Sequence, residues 1–187
     1  TARAEKIKIG APMDPDTEMG PISNFKQLEI IEKNIKLTIE QGGKIKCGGK
    51  RHSFSNEGYY FPPTIIECDN QNLPVAENEL FGPVLSVMKF DSEKEVIEKM
   101  NDNQYGLSSG VYTSDLARGL RVSNAIRAGI TFVNTYRLIS PSAPFGGIKD
   151  SGYGKEAGLD SIKDYTRVKT IWYYTSDEPT LDPFSMR

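Results

Sequence analysis

A chain of 187 residues, 37% hydrophobic and 26% charged, can close one core, or one core with a short appendage, and stay in solution. A formal charge of −2 gives no electrostatic reason to expect nucleic acid or an anionic membrane as partner. No apolar run approaches the roughly 20 residues of a membrane-spanning helix. Cys47 and Cys68 are the only cysteines, a pair that reads as reduced and structural and so suggests a cytoplasmic setting. With His52 as the only histidine, neither a histidine-based triad nor a multi-histidine metal site can be built.

The chain opens TARAEKIKIG, without Met or a charged-then-apolar leader pattern, and Ala2 to Ile9 reads as a helix end entering a turn at Gly10. A piece of a longer protein is therefore expected. Gly10 to Pro21 is a loop by its Gly, Pro and Asp content. Ser23 is the expected N-cap of a helix whose apolar stripe is Phe25, Leu28, Ile31, Ile35 and Ile39, ended by Gly42 and Gly43. Ile30 and Leu37 lie nearly opposite that stripe, which suggests cover on two sides.

Lys44–Cys47 reads as a short strand, and a polar loop runs on to Gly58. Thr64–Glu67 and Val84–Phe90 are β-branched or aromatic runs bounded by Pro63 and Pro83. Ser92 and Glu95 have capping-box spacing for a helix to about Asp102. Ser109–Thr113 is an expected strand, Ser114–Ala128 a helix closed by Gly129, and Ile130–Asn134 the next strand. This alternation implies an α/β fold with a mainly parallel sheet flanked by helices. A Gly-rich loop follows from Thr135 to Gly154, then an expected helix over Gly158–Tyr165. Val168–Thr175 has the strongest strand composition in the chain, apolar or β-branched on both faces.

No GxGxxG follows a strand. Composition and periodicity by themselves reach only an α/β domain. Five segments, in order, carry more. GAPMDPDTEMGP, YYFPPTI, NELFGPV, the run from NDNQYGLSSGVYTSD to AGITFVN, and PFGGIKDSGYGKEAG resemble successive elements of the NAD(P)-dependent aldehyde dehydrogenases. The resemblance extends to about Thr170. It implies the aldehyde dehydrogenase catalytic-domain fold, truncated at its N-terminal side. Residues 1–166 would be the C-terminal portion of that domain and residues 167–187 an oligomerisation strand and tail.

The resemblance also implies roles. Glu79 would accept hydrogen bonds from the hydroxyls of the nicotinamide ribose, since a carboxylate offers two acceptor oxygens to a vicinal diol. Phe81 would pack near the nicotinamide. The plain alternatives are a solvated carboxylate for Glu79 and a core aromatic for Phe81. Phe145 would line the aldehyde pocket, where an apolar wall keeps the reacting carbon from bulk water. Arg137, in the loop where the family varies its substrate entrance, hints at an aldehyde with a distant carboxylate, against the reading of a solvated arginine. Glu156 would belong to a proton relay, or else pair with Lys155 or Lys149.

The implied reaction oxidises an aldehyde to a carboxylic acid with NAD or NADP through a cysteine thiohemiacetal and thioester. Its nucleophile belongs to a G-Q-x-C element expected upstream, as do the general base, the oxyanion-stabilising Asn and the dinucleotide-binding domain. No G-Q-x-C occurs here, and Cys47 and Cys68 lie where the family has no catalytic thiol. These residues by themselves are thus expected to be inactive. The alternatives are a stand-alone binding or assembly module of the same fold, and part of a CoA-acylating dehydrogenase. A homo-oligomer through Val168–Thr175 is expected, with a small-molecule aldehyde as the other partner.

Overall fold

The computed structural model describes residues 1–51, 58–179, 182 and 184. His52 and part of the polar loop before Gly58 lie outside the described residues. The chain forms two compact units, Thr1–Asn103 and Gln104–Arg187.

In the first unit a four-residue helix, α1 (Ala2–Glu5), leads into the Gly10–Pro21 loop. Glu18 closes that loop, taking a hydrogen bond from Arg3 at 2.6 Å and from the Lys8 backbone N–H at 2.9 Å. Helix α2 (Phe25–Glu40) is the main scaffold of this unit. Its N-cap is Asn24, not Ser23: the Asn24 side chain accepts from the Gln27 N–H at 2.8 Å, while Ser23 receives the Asn24 amide. Leu28, Ile31 and Ile35 of the expected stripe are buried, but Phe25 and Ile39 are exposed. Ile30 is exposed too and Leu37 is half-buried, so among the described residues the buried face of α2 is that of Leu28, Ile31 and Ile35.

Thr38 takes the fourth buried place on that face because its Oγ1 accepts from the Val75 N–H at 3.1 Å. This satisfies an orphan donor in the first turn of α3 (Pro74–Glu77). Strands β1 (Lys44–Cys47), β2 (Thr64–Glu67) and β3 (Val84–Val87) form a sheet in that order. β2 and β3 are parallel, as a helix-bearing connection requires, whereas β1 joins antiparallel with a register shift between Ile45 and Cys47. The core is Leu28, Ile31, Ile35, Phe61, Ile66, Cys68, Leu73, Val75 and Leu80. Helix α4 (Glu93–Asn101) starts at the expected cap, with the Ser92 hydroxyl accepting from the Glu95 N–H at 3.1 Å. The Glu95 carboxylate reaches back to the Asp91 N–H at 2.8 Å.

The second unit is a parallel pair, β4 (Ser108–Val111) and β5 (Ile130–Val133), joined by α5 (Leu116–Ala125). α5 is shorter than the expected Ser114–Ala128. Asp115 caps its start by accepting from the Arg118 N–H at 3.1 Å, and the chain turns extended at Ile126. The expected helix over Gly158–Tyr165 is a 3₁₀ segment, Leu159–Tyr165. Val168–Thr175 is not a strand in this chain. Among the described residues it enters no ladder, and Val168 and Trp172 are 101% and 92% exposed. A strand exists only through a ladder partner, and strand-like composition does not supply one.

Candidate functional site

Two loops carry the residues that the sequence singles out. In the first unit, α3 ends at Asn78 in extended backbone and the chain runs through Glu79, Leu80, Phe81, Gly82 and Pro83 into β3. Successive side chains face opposite ways. Leu80 enters the core, while Glu79 and Phe81 stand in solvent. Phe81 is 78% exposed, so it is not a core aromatic.

The Phe81 backbone sits at φ 44°, a left-handed conformation that crowds the Cβ of any residue but glycine. Such a conformation costs of order 1–3 kcal/mol and persists only where neighbours over-determine it. Here they do, from both ends and from below. The Gln27 side-chain amide donates to the Leu80 carbonyl. The Asn78 amide donates to the Pro74 carbonyl at 3.1 Å and to Asn34 Oδ1 at 3.2 Å. The Val84 N–H donates to the Gly82 carbonyl at 2.8 Å, and the Thr64 N–H to the Pro83 carbonyl at 2.7 Å. Gly82 lies so close to α2 that a Cβ there would stand 2.3 Å from Ile31 Cδ1.

In the second unit the loop after β5 begins with Asn134 at φ 54°, whose side-chain amide bridges both the N–H and the carbonyl of Thr113 at 2.8 Å each. Asn tolerates this backbone because its short polar side chain bonds locally. Tyr136 packs edge-on against Phe132, with ring centroids 6.2 Å apart. Arg137 follows at φ 57°, exposed beside exposed Leu138 and Ile139.

Further along, Phe145 and Glu156 are brought together as an antiparallel bridge, with N–H to carbonyl distances of 2.6 and 2.7 Å. Phe145 is half-buried and Glu156 exposed. Lys155 does not turn to Glu156: its ammonium donates to the Gly146 carbonyl at 3.0 Å and the Gly147 carbonyl at 2.7 Å. Gly129 is required by close approach, since a Cβ there would stand 1.9 Å from the Gly146 carbonyl oxygen. The Phe145–Gly147 turn is thus fixed against backbone on one side and a cation on the other.

Neither cysteine has the surroundings of a nucleophile. Both are buried; Cys47 Sγ lies 3.7 Å from the Pro63 carbonyl and Cys68 Sγ 3.8 Å from the Ile66 carbonyl. Burial, and then the neighbouring Asp69 charge, push the Cys68 thiol up, away from thiolate. Among the described residues no group of three or more His, Cys, Asp or Glu could hold a metal, and no helix is long and apolar enough to cross a membrane.

Of the supports of the Phe81 loop, periodicity reads Ile31 as buried but none of the polar ones. Gln27 and Asn34 read as the polar face of α2, and their partners lie 53 and 44 residues away. The one available signal is the invitation of Gly82 to ask what comes close to it.

The aldehyde dehydrogenase family model matches residues 1–171. The chain is 48% identical over 186 residues to (Z)-2-((N-methylformamido)methylene)-5-hydroxybutyrolactone dehydrogenase of Acinetobacter baylyi, covering 99% of this chain and 38% of that protein. It is 40% identical over 173 residues to betaine aldehyde dehydrogenase of Brucella anthropi, covering 91% and 35% respectively. An NAD+ complex of aldehyde dehydrogenase from Bacillus cereus superposes with a TM-score of 0.87 at 38% identity, over 94% of this chain and 35% of that one. The chain therefore spans little more than a third of the length of these relatives.

Proposed function

The chain belongs to the aldehyde dehydrogenase family, and on that premise we propose that its 187 residues serve an enzyme that oxidises an aldehyde to a carboxylic acid with NAD or NADP. The observation that carries the reading is the Phe81 loop: an exposed aromatic, held at φ 44° by its surroundings, beside an exposed carboxylate. A strained and over-determined backbone that presents side chains outward fits a positioning surface better than a packing one.

The residues fit the cofactor. Glu79 has acceptor oxygens free to face a ribose diol, and the Phe81 ring gives a flat apolar face for a nicotinamide. When bound, the cofactor supplies the hydride acceptor. Glu79 fixes the ring's orientation and Phe81 limits its travel, so that the reacting atoms meet in an attack-competent geometry. Phe145 forms part of an apolar wall that excludes water from the aldehyde. Arg137, exposed on its loop, selects an aldehyde that carries a distant carboxylate, for which a planar fork of donors is suited. Glu156 passes a proton outward, its exposure in this chain giving it access to solvent. Val168–Thr175, exposed and outside any ladder among the described residues, joins a second copy, and the buried reduced cysteines fit a cytoplasmic setting.

Glu79→Gln in the full-length enzyme tests the reading. Loss of a charge-assisted hydrogen bond costs about 1.5–3 kcal/mol, so the single-turnover rate of cofactor reduction falls roughly 10- to 150-fold. Affinity for the adenine end stays unchanged. Cofactor reduction at wild-type speed would remove Glu79 from the site.

A further inference from the structure

Helix α3 is a single turn with no stability of its own, so its place depends on what holds it. Its first residue, Pro74, has no N–H, and Leu73 before it has no side-chain acceptor. The N–H of buried Val75 is therefore an orphan donor. Thr38 of α2, fully buried, supplies its acceptor at 3.1 Å. The direction of Thr38 is itself fixed. The Gly43 N–H donates to the Thr38 carbonyl at 2.8 Å, and a Cβ at Gly43 would stand 2.5 Å from Thr38 Cγ2. With the methyl packed against Gly43, the hydroxyl faces α3.

The other end of α3 is tied one turn back along α2. The Asn78 amide donates to Asn34 Oδ1 at 3.2 Å. The Asn34 amide donates to the Ile30 carbonyl at 2.8 Å, which leaves its oxygen for Asn78. Asn34 and Thr38 are four residues apart, on one stripe of α2. Glu79 comes directly after this clamped turn and directly before Leu80, which is anchored in the core. Its carboxylate is thus aimed by two anchors, and a turn that slips on α2 moves one of them while the other stays.

We infer that Thr38 is a positioning residue for the nicotinamide end of the cofactor: with Asn34 it clamps α3 to α2 at both ends, and so sets where the chain leaves α3 to present Glu79. This rests on the role proposed above for Glu79. Thr38 has no exposed surface, so it touches no ligand and acts only through α3.

Titrations of the full-length enzyme with NADH test this, with ADP as the control for the adenine end. Thr38→Val keeps the branched shape but removes the acceptor. NADH should then bind about 5-fold more weakly, a fraction of the loss expected when a charge-assisted hydrogen bond is removed outright, while ADP binds as in the wild type. Thr38→Ser keeps the hydroxyl but loses a buried methyl. It should melt below the wild type and still bind NADH as tightly. A merely structural role would instead make NADH affinity follow the melting temperature in both variants. Wild-type NADH affinity in Thr38→Val overturns the clamp, and so does a Thr38→Ser variant as weak as the valine one. Asn34→Ala breaks the other tie from a half-buried position and should weaken NADH in the same way. If Thr38→Val does not fold, wild-type NADH affinity in Asn34→Ala overturns the clamp in its place. Glu79→Gln separates the two readings. If it weakens NADH while the α2 variants do not, the clamp alone fails; if none of them does, the reading of Glu79 fails with it.

Discussion

Substituting Gly82 by Ala should be among the most damaging single-methyl additions in the first unit. A Cβ at Gly82 would stand 2.3 Å from Ile31 Cδ1 and 3.1 Å from Ile31 Cγ1. Carbon atoms pack best at about 3.5–4.0 Å, so the first contact overlaps by more than an ångström. Ile31 is fully buried in the core and cannot swing into solvent. Either it leaves its rotamer or the loop lifts off α2, and overpacking of this kind costs about 1–3 kcal/mol. Ile31→Val deletes Cδ1, the worse of the two contacts, at a cost of about 0.5–1.5 kcal/mol for the lost burial. The double variant should then be more stable than the two losses summed, by about 1 kcal/mol, because the second change makes room for the first. Urea unfolding followed by far-UV circular dichroism reads this directly, with a midpoint lowered by roughly 0.5–2 M in Gly82→Ala. An unshifted midpoint, or strict additivity in the double variant, would show that the loop does not rest on Ile31.

Other outcomes follow from the same structure. Phe81→Asn should stabilise the chain by about 0.5–1 kcal/mol, because asparagine tolerates the left-handed backbone and little burial is lost; the full-length enzyme should meanwhile reduce its cofactor more slowly, and a destabilised variant would argue against strain at this position. The hydrogen bond from Lys99, and then that from the Asp91 N–H, hold the Glu95 carboxyl below its usual range. Its contribution is therefore complete above the unfolded value of about 4.3 and is lost as pH falls through the lower folded value. Helix α4 should loosen in acid, and Glu95→Gln should flatten that limb of a stability-against-pH curve; superimposable curves would discount the capping box. Incubated by itself with aldehydes and NAD+ or NADP+, this 187-residue chain should give no reduced cofactor, since its two thiols are buried. Turnover abolished by Cys47→Ser or Cys68→Ser would reverse that.

What the sequence makes legible is what neighbours in the chain decide. The bounds of Thr64–Glu67 follow from a β-branched run behind two prolines, and the start of α4 from a serine and glutamate three apart. Elements that need a distant partner are not legible in this way. Ser23 and Asn24 are both good caps by type, and only the side-chain geometry at the Gln27 N–H decides between them. Thr38 reads as polar and exposed until the Val75 N–H, 37 residues on, is seen to need its hydroxyl. Val168–Thr175 has every local mark of a strand and, among the described residues, no ladder to enter.

The candidate site divides along the same line. Motif resemblance points to Glu79 and Phe81 without giving a physical reason for the order of residues around them. The structure supplies one: Leu80 must be apolar to anchor the loop, Phe81 must accept a left-handed backbone to present its ring, and Gly82 must lack a Cβ to lie on Ile31. The three residues from Leu80 to Gly82 therefore cannot be permuted without losing either the anchor or the presentation. The burden then falls on α2, which has to meet the loop at the right height and angle. A substitution on the stripe of that helix that meets the loop can consequently alter how the loop presents Glu79 and Phe81 while leaving every residue of the motif intact.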